Sequence, residues 1–108
     1  MANIAVLKRP LLTAVTTATA GNAVGGTIDR KTYGASGTTS SGTGAATVVI
    51  EGSMNSGASW DTIGTISLTL GTTVTSDSFT SADCFEQVRA RVSAISGTGA
   101  SVDAAVGY

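Results

Sequence analysis

Histidine is absent from this chain, and cysteine occurs once, as Cys84. Imidazole-based acid–base chemistry and imidazole metal ligation are therefore excluded, and a lone thiol makes neither an internal disulfide nor a cysteine zinc cluster. Proline also occurs once, as Pro10, and aromatic residues are only 5% of the 108 positions. The core must then be assembled from small pieces, chiefly Ala and Val. Charged residues amount to 12%, about half the usual share of roughly 25%. The net charge is −1, which lacks the basic excess that phosphate neutralisation by a nucleic-acid binder requires. No apolar run approaches the roughly 20 residues of a membrane-spanning helix. Gly, Ser and Thr fill the gap, at 45 of 108 residues.

The beginning of the chain has a signal-like arrangement. Lys8 and Arg9 precede Leu11 and Leu12, and Ala18-Thr19-Ala20 resembles a small-residue cleavage site. Four threonines between Thr13 and Thr19 weaken the apolar segment, so cleavage is not expected. Cys84 suits synthesis in a reducing cytoplasm.

Helical periodicity is missing. The periodic segments are rich in Thr, Val and Ile, which favour strands, and glycines punctuate them at short intervals. This pattern predicts an all-β chain: a single antiparallel β-sandwich, jelly-roll- or Ig-like, of seven or eight short strands. Residues 1–10 are read as an extended arm or edge strand, because Pro10 does not suit a central ladder. Residues 11–108 form the sandwich domain.

Within it, residues 47–54 alternate, with Val48, Ile50, Gly52 and Met54 on one face and Val49, Glu51 and Ser53 on the other. A turn at Asn55-Ser56-Gly57-Ala58 leads to a second strand over 59–70. There Trp60, Thr62, Ile66, Leu68 and Leu70 share a face, with Gly64 as a bulge or bend. A short strand follows over 74–79, then a polar corner at 81–83. The strand over 85–95 sends Val88, Ala90, Val92 and Ala94 one way and Gln87, Arg89, Arg91 and Ser93 the other. A turn at Gly97-Thr98-Gly99 then suggests a second hairpin with 100–106. In the first half, 11–19 is β-prone, 21–26 is expected to be a loop, and 27–33 a strand. The Gly/Ser/Thr-rich stretch 34–44 is expected to be the longest and most mobile loop.

Candidate chemistry is sparse. Ser and Thr are plentiful, yet none has an activating partner in a recognisable motif. Asp61, Asp77 and Asp83 are the carboxylates a glycosidase-like pair could draw on, and nothing brings two of them together. Asn55 and Asp61 fall short of a calcium loop. The glycines form no phosphate loop. No cofactor and no metal site are expected. Cys84 reads as a half-buried small hydrophobe. Trp60 reads first as a core side chain and second, with Tyr33 and Tyr108, as a platform for stacking a sugar. Arg89 and Arg91, opposite the valine stripe, read as cross-strand partners of Glu51 or as contacts for an acidic partner protein.

Three segments together carry a resemblance: Val48-Val49-Ile50-Glu51-Gly52-Ser53, Ser59-Trp60-Asp61-Thr62-Ile63-Gly64-Thr65-Ile66, and the run from Phe85 to Gly99 that reads FEQVRARVSAISGTG. Over residues 45–107 the chain resembles small β-sandwich virion proteins of tailed bacteriophages. These include head decoration (cement) proteins and small tail or neck components. The first two segments also look like the strand–turn–Trp element of discoidin-type sugar-binding sandwiches. The chain departs from the usual hairpin in having Asn55-Ser56-Gly57 where an Asp-Gly turn is common. The resemblance brings no active site with it.

It implies a non-enzymatic virion structural protein, made in the host cytoplasm, that decorates and stabilises a capsid. Its partners would be the major capsid protein, other virion proteins and further copies of itself, with neither nucleic acid nor membrane. The interface candidates are Lys8, Arg9 and Pro10 on the arm, with Arg89 and Arg91. Two other functions compete: a carbohydrate-binding or host-attachment module using Trp60 and Tyr33, and a small enzyme needing Asp77, Asp83 and a hydroxyl residue in one place.

Overall fold

The computed structural model describes residues 8–26 and 30–107. Expectations for 1–7, for 27–29 and for Tyr108 lie outside the described residues. Eight strands follow one another: β1 (Lys8–Val15), β2 (Val24–Gly25), β3 (Lys31–Thr38), β4 (Ser41–Ser53), β5 (Asp61–Leu70), β6 (Thr75–Ser81), β7 (Gln87–Thr98) and β8 (Ser101–Gly107). They make two four-stranded sheets, ordered β1-β8-β3-β6 and β2-β7-β4-β5. Every pairing is antiparallel.

The order has a simple origin. β4 pairs with β5, β3 with β6, β2 with β7 and β1 with β8. The chain is thus one long double-stranded ribbon bent at residues 54–60. Rolling that ribbon brings β8 beside β3 and β7 beside β4. This is jelly-roll topology, the first of the two sandwich types expected.

Alternation supplies the core. Tyr33 and Ala35 of β3, and Val102, Ala104 and Val106 of β8, face Val48, Ile50, Ile66, Leu68, Leu70, Val88, Ala90 and Val92 of the other sheet. All of these are buried. The few aromatic rings fit because glycines make room for them. A Cβ on Gly64 would lie 2.5 Å from the Phe79 ring, and one on Gly52 would lie 2.2 Å from the Phe85 ring.

The structure corrects several local expectations. Residues 34–44 are not a long loop: β3 and β4 run through them, with a turn only at Thr39-Ser40. At Gly37 and Gly44 the small residue is required by close packing. A Cβ on Gly37 would sit 2.8 Å from Leu70 Cδ2 and 2.9 Å from the Ser101 carbonyl oxygen. Residues 21–26 are a loop as expected apart from the two residues of β2, and the loop is tied to a sheet edge. Gly21 N donates to Ala90 O at 2.8 Å and Gly26 N to Glu86 O at 2.9 Å, flanking β2. β7 and β8 do not form a hairpin. Both sides of β7 are taken by β2 and β4, so the turn at 97–99 is a corner that carries the chain into the other sheet.

Two bulges re-phase the faces. Thr47 pairs with Ala94 and Val48 with Val92, leaving Ser93 as the extra residue. Ala94 is therefore exposed, and Ile95 packs against the core instead. On β5, Ile50 pairs with Gly64 and Glu51 with Thr62, so Ile63 is the extra residue. Trp60 and Thr62 are thereby removed from the inward face of Ile66, Leu68 and Leu70. Met54 lies past the end of β4 and is 65% exposed.

Candidate interaction face on the second sheet

The outer face of the β2-β7-β4-β5 sheet gathers most of the candidate residues. β4 is a central strand and presents Glu51 outward. β7 lies beside it and, in register, sets Arg89 opposite Glu51 and Arg91 opposite Val49. Arg89 Nε donates to Glu51 Oε1 at 2.9 Å, and Arg91 Nε donates to Glu51 Oε2 at 3.4 Å. One carboxylate therefore serves two guanidinium groups. The Glu51 side chain is 9% exposed, against 24% and 39% for Arg89 and Arg91. From the far side of β4, Trp60 completes the group, with the Arg89 guanidinium carbon 4.2 Å from its ring centroid.

The turn before Trp60 is built to hold it. Ser53, fully buried, accepts from Gly57 N at 2.9 Å. Asn55 Oδ1 accepts from Ser53 Oγ at 2.9 Å and from Ser59 N at 3.0 Å, while its Nδ2 donates to Ser59 Oγ at 2.8 Å. Gly57 takes the left-handed conformation expected of it, at φ 87°. Asn55 spends its side chain on this turn, and Ser56 N donates to Glu86 Oε1 at 2.8 Å, anchoring the turn to the start of β7.

Chemically, this face can grip. Glu51 neutralises one of two arginines, so the patch keeps one positive charge. Each guanidinium has five N–H donors, of which Glu51 engages one Nε on each. The rest are directed by an aromatic stack and a nearly buried carboxylate, a preorganised arrangement suited to a carboxylate or another planar acceptor.

The other candidates are elsewhere. Lys8, Arg9 and Pro10 follow the edge-strand alternative rather than the arm: they open β1, paired with Gly107, Val106 and Ala105 at an edge of the other sheet, and all three are exposed. The fold does not bring them to Arg89 and Arg91. With Asp77 and Asp103, Lys8 lines a shallow trough of about 700 Å³ on the outside of that sheet. Tyr33 is no platform. It is fully buried, tilted against Phe79 at 5.5 Å between centroids. Its inward position follows from the alternation of β3, which the loop reading of 34–44 concealed. Cys84 is exposed rather than half-buried. Among the described residues no three acidic or thiol groups gather as a metal site.

The sequence reading passed over one cluster. Lys31, on the inward face of β3, has a fully buried side chain 3.6 Å from Asp83 Oδ1, and its Nζ also donates to the Asp83 carbonyl oxygen. Tyr33 donates to Asp83 Oδ2 at 3.0 Å. The polar corner after β6 is thus fastened into one end of the sandwich. The available signal was parity: Lys31, Tyr33, Ala35 and Gly37 alternate at period two.

No protein-family model, curated protein or solved structure matches this chain.

Proposed function

We propose that this chain is a non-enzymatic structural protein of a tailed-phage virion that binds the outer surface of the head lattice and stabilises it. One observation carries the reading. Of the three segments that resemble phage virion proteins, the first two form the β4–β5 hairpin, the third arrives from some twenty residues further along as β7 on the other side of β4, and their Trp60, Glu51, Arg89 and Arg91 form one connected outward patch. The jelly roll supports the same reading, since viral capsid domains use this architecture. So does the shape: 42 × 41 × 17 Å is a tile, broad enough to lie across a lattice and thin enough to add little height. The major capsid protein would supply an acidic group to the arginines. The test is to add the purified chain to expanded capsids of the phage that encodes it, then measure co-sedimentation and the capsid melting temperature. Binding with a raised melting temperature supports the proposal. Failure to bind heads, with the chain found only in tails, removes the decoration role and leaves the tail or neck component.

A second reading has an observation of its own. Trp60 lies outside the sandwich, half-buried, where a sugar-binding aromatic has to be, and lectin domains also use the jelly roll. The Trp60–Arg89 stack occupies part of the ring. A glycan array probed with the chain and with Trp60→Ala separates the readings: a hit lost on substitution favours carbohydrate attachment.

A further inference from the structure

The four sheet edges are not alike. Edge strands offer unpaired backbone groups to any passing chain, and proteins blunt them with charge, proline, bulges or brevity. β1 carries Lys8, Arg9 and Pro10 and has two register shifts. β2 has two residues. β6 has seven residues, with Asp77 near its middle. β5 has ten, its only charge is Asp61 at the very start, and neither charge nor proline occurs from Thr62 to Ser76. Beyond its bulge at Ile63, β5 is the one long edge among the described residues with neither charge nor proline.

We propose that β5 pairs with β5 of a second copy, antiparallel about a twofold axis at Ser67, so that two four-stranded sheets become one of eight strands. The register follows from the strand itself. The bulge at Ile63 ends regular pairing, which leaves Gly64–Leu70 as the straight stretch. Directly opposed residues of an antiparallel pair share a face, so the axis must fall on a residue rather than between two. The midpoint of 64–70 is Ser67. Thr65 then stands opposite Thr69 of the other copy, and Ile66 opposite Leu68. Hydroxyls meet on the outer face, and the two inner faces continue each other. Because the stretch Gly64–Leu70 is uncharged, pairing it with itself brings no like charges together. Only a strand edge is buried, so the dimer belongs to the weak, small-interface class, with dissociation on the order of micromolar. The pairing is independent of the virion reading.

Sedimentation velocity across a concentration series, in reductant, should show a monomer–dimer equilibrium. Ser67→Lys sets two ammonium groups opposite each other and should weaken dimerisation by about tenfold or more. Ser67 is exposed, so folding should be intact by circular dichroism. Thr32→Lys, on the other sheet, should leave the dimer unchanged. In a Cys84→Ser background, Ser67→Cys should cross-link to a dimer on oxidation and Thr32→Cys should not. A chain that is monomeric throughout overturns the proposal, as does a dimer that tolerates Ser67→Lys and gives no Ser67→Cys cross-link.

Discussion

Single side chains in this protein are constrained mainly by room. Gly64 and Phe79 face each other across the sandwich, and a methyl group on Gly64 meets the ring at 2.5 Å. Gly64→Ala should therefore destabilise by about 1–3 kcal/mol, as overpacking does. Trimming the ring with Phe79→Leu should recover part of that cost, so chemical denaturation of the two single variants and the double variant should give a favourable coupling. Additive losses would show that Gly64 is needed for its backbone instead. The Lys31–Asp83 pair is limited by charge. Asp83→Asn removes the carboxylate that stands 3.6 Å from the buried Lys31 ammonium and accepts from Tyr33, and should cost about 3–5 kcal/mol by chemical denaturation. The sequence made Lys31 visible only as a strand residue. Its inward direction depends on the parity of β3, and that parity was obscured by the glycine and serine content of 34–44. Gly37 is small because Leu70 and Ser101 approach it, and those contacts come from strands more than thirty residues away. Composition alone does not distinguish a residue that is small to be mobile from one that is small to be packed.

At the scale of elements, face assignments were legible wherever pairing is regular. Val48 and Ile50 point inward as their alternation requires, and so do Val88, Ala90 and Val92. Glu51 and the two arginines were correctly placed opposite them. The reading failed at Ala94 and Trp60, each beyond a bulge, because a one-residue insertion inverts the parity of everything after it. Gly64 did mark the second bulge; what the sequence did not supply was the side on which the extra residue falls. The bulges also have a consequence for the patch. The Ile63 bulge turns Trp60 outward to meet Arg89. Deleting Ile63 should restore simple alternation, carry Trp60 toward the core side and break the stack. Tryptophan fluorescence should then shift to shorter wavelength and lose its sensitivity to Arg89→Ala, at a clear cost in stability. An unchanged emission maximum would mean that the turn at 54–60, not the bulge, sets the direction of the ring. The failed hairpin between β7 and β8 has a related cause. A tight turn dictates reversal of the chain, but whether the returning strand pairs with its neighbour or crosses to the opposite sheet depends on which edges are already occupied.

For the molecule as a whole, the rolled ribbon sets the order in which contacts can form. β4 and β5 are joined by a short turn and can pair early, while β1 and β8 join Lys8 to Gly107, nearly the full length of the chain. Closing long loops has to precede the reward of non-local pairing, so folding should be slow for the size, in the range of milliseconds to seconds. The transition state should contain the β4–β5 ribbon with part of β7, and β1 should dock last. Two buried side chains test this at concentrations where the chain is monomeric. Ile66→Ala on β5 and Leu12→Ala on β1 each remove a core side chain, at about 2–5 kcal/mol. If the ribbon nucleates, Ile66→Ala should act mostly on the folding rate and Leu12→Ala mostly on the unfolding rate in stopped-flow chevrons. The opposite partition would mean that closure of β1 on β8 comes first and the bend at 54–60 forms within an already rolled chain. The expected order also bears on the outward patch. The sheet carrying Trp60, Glu51, Arg89 and Arg91 would be organised before the β1 edge closes, so weakening β1 should raise the unfolding rate while leaving the patch, once folded, with the same geometry.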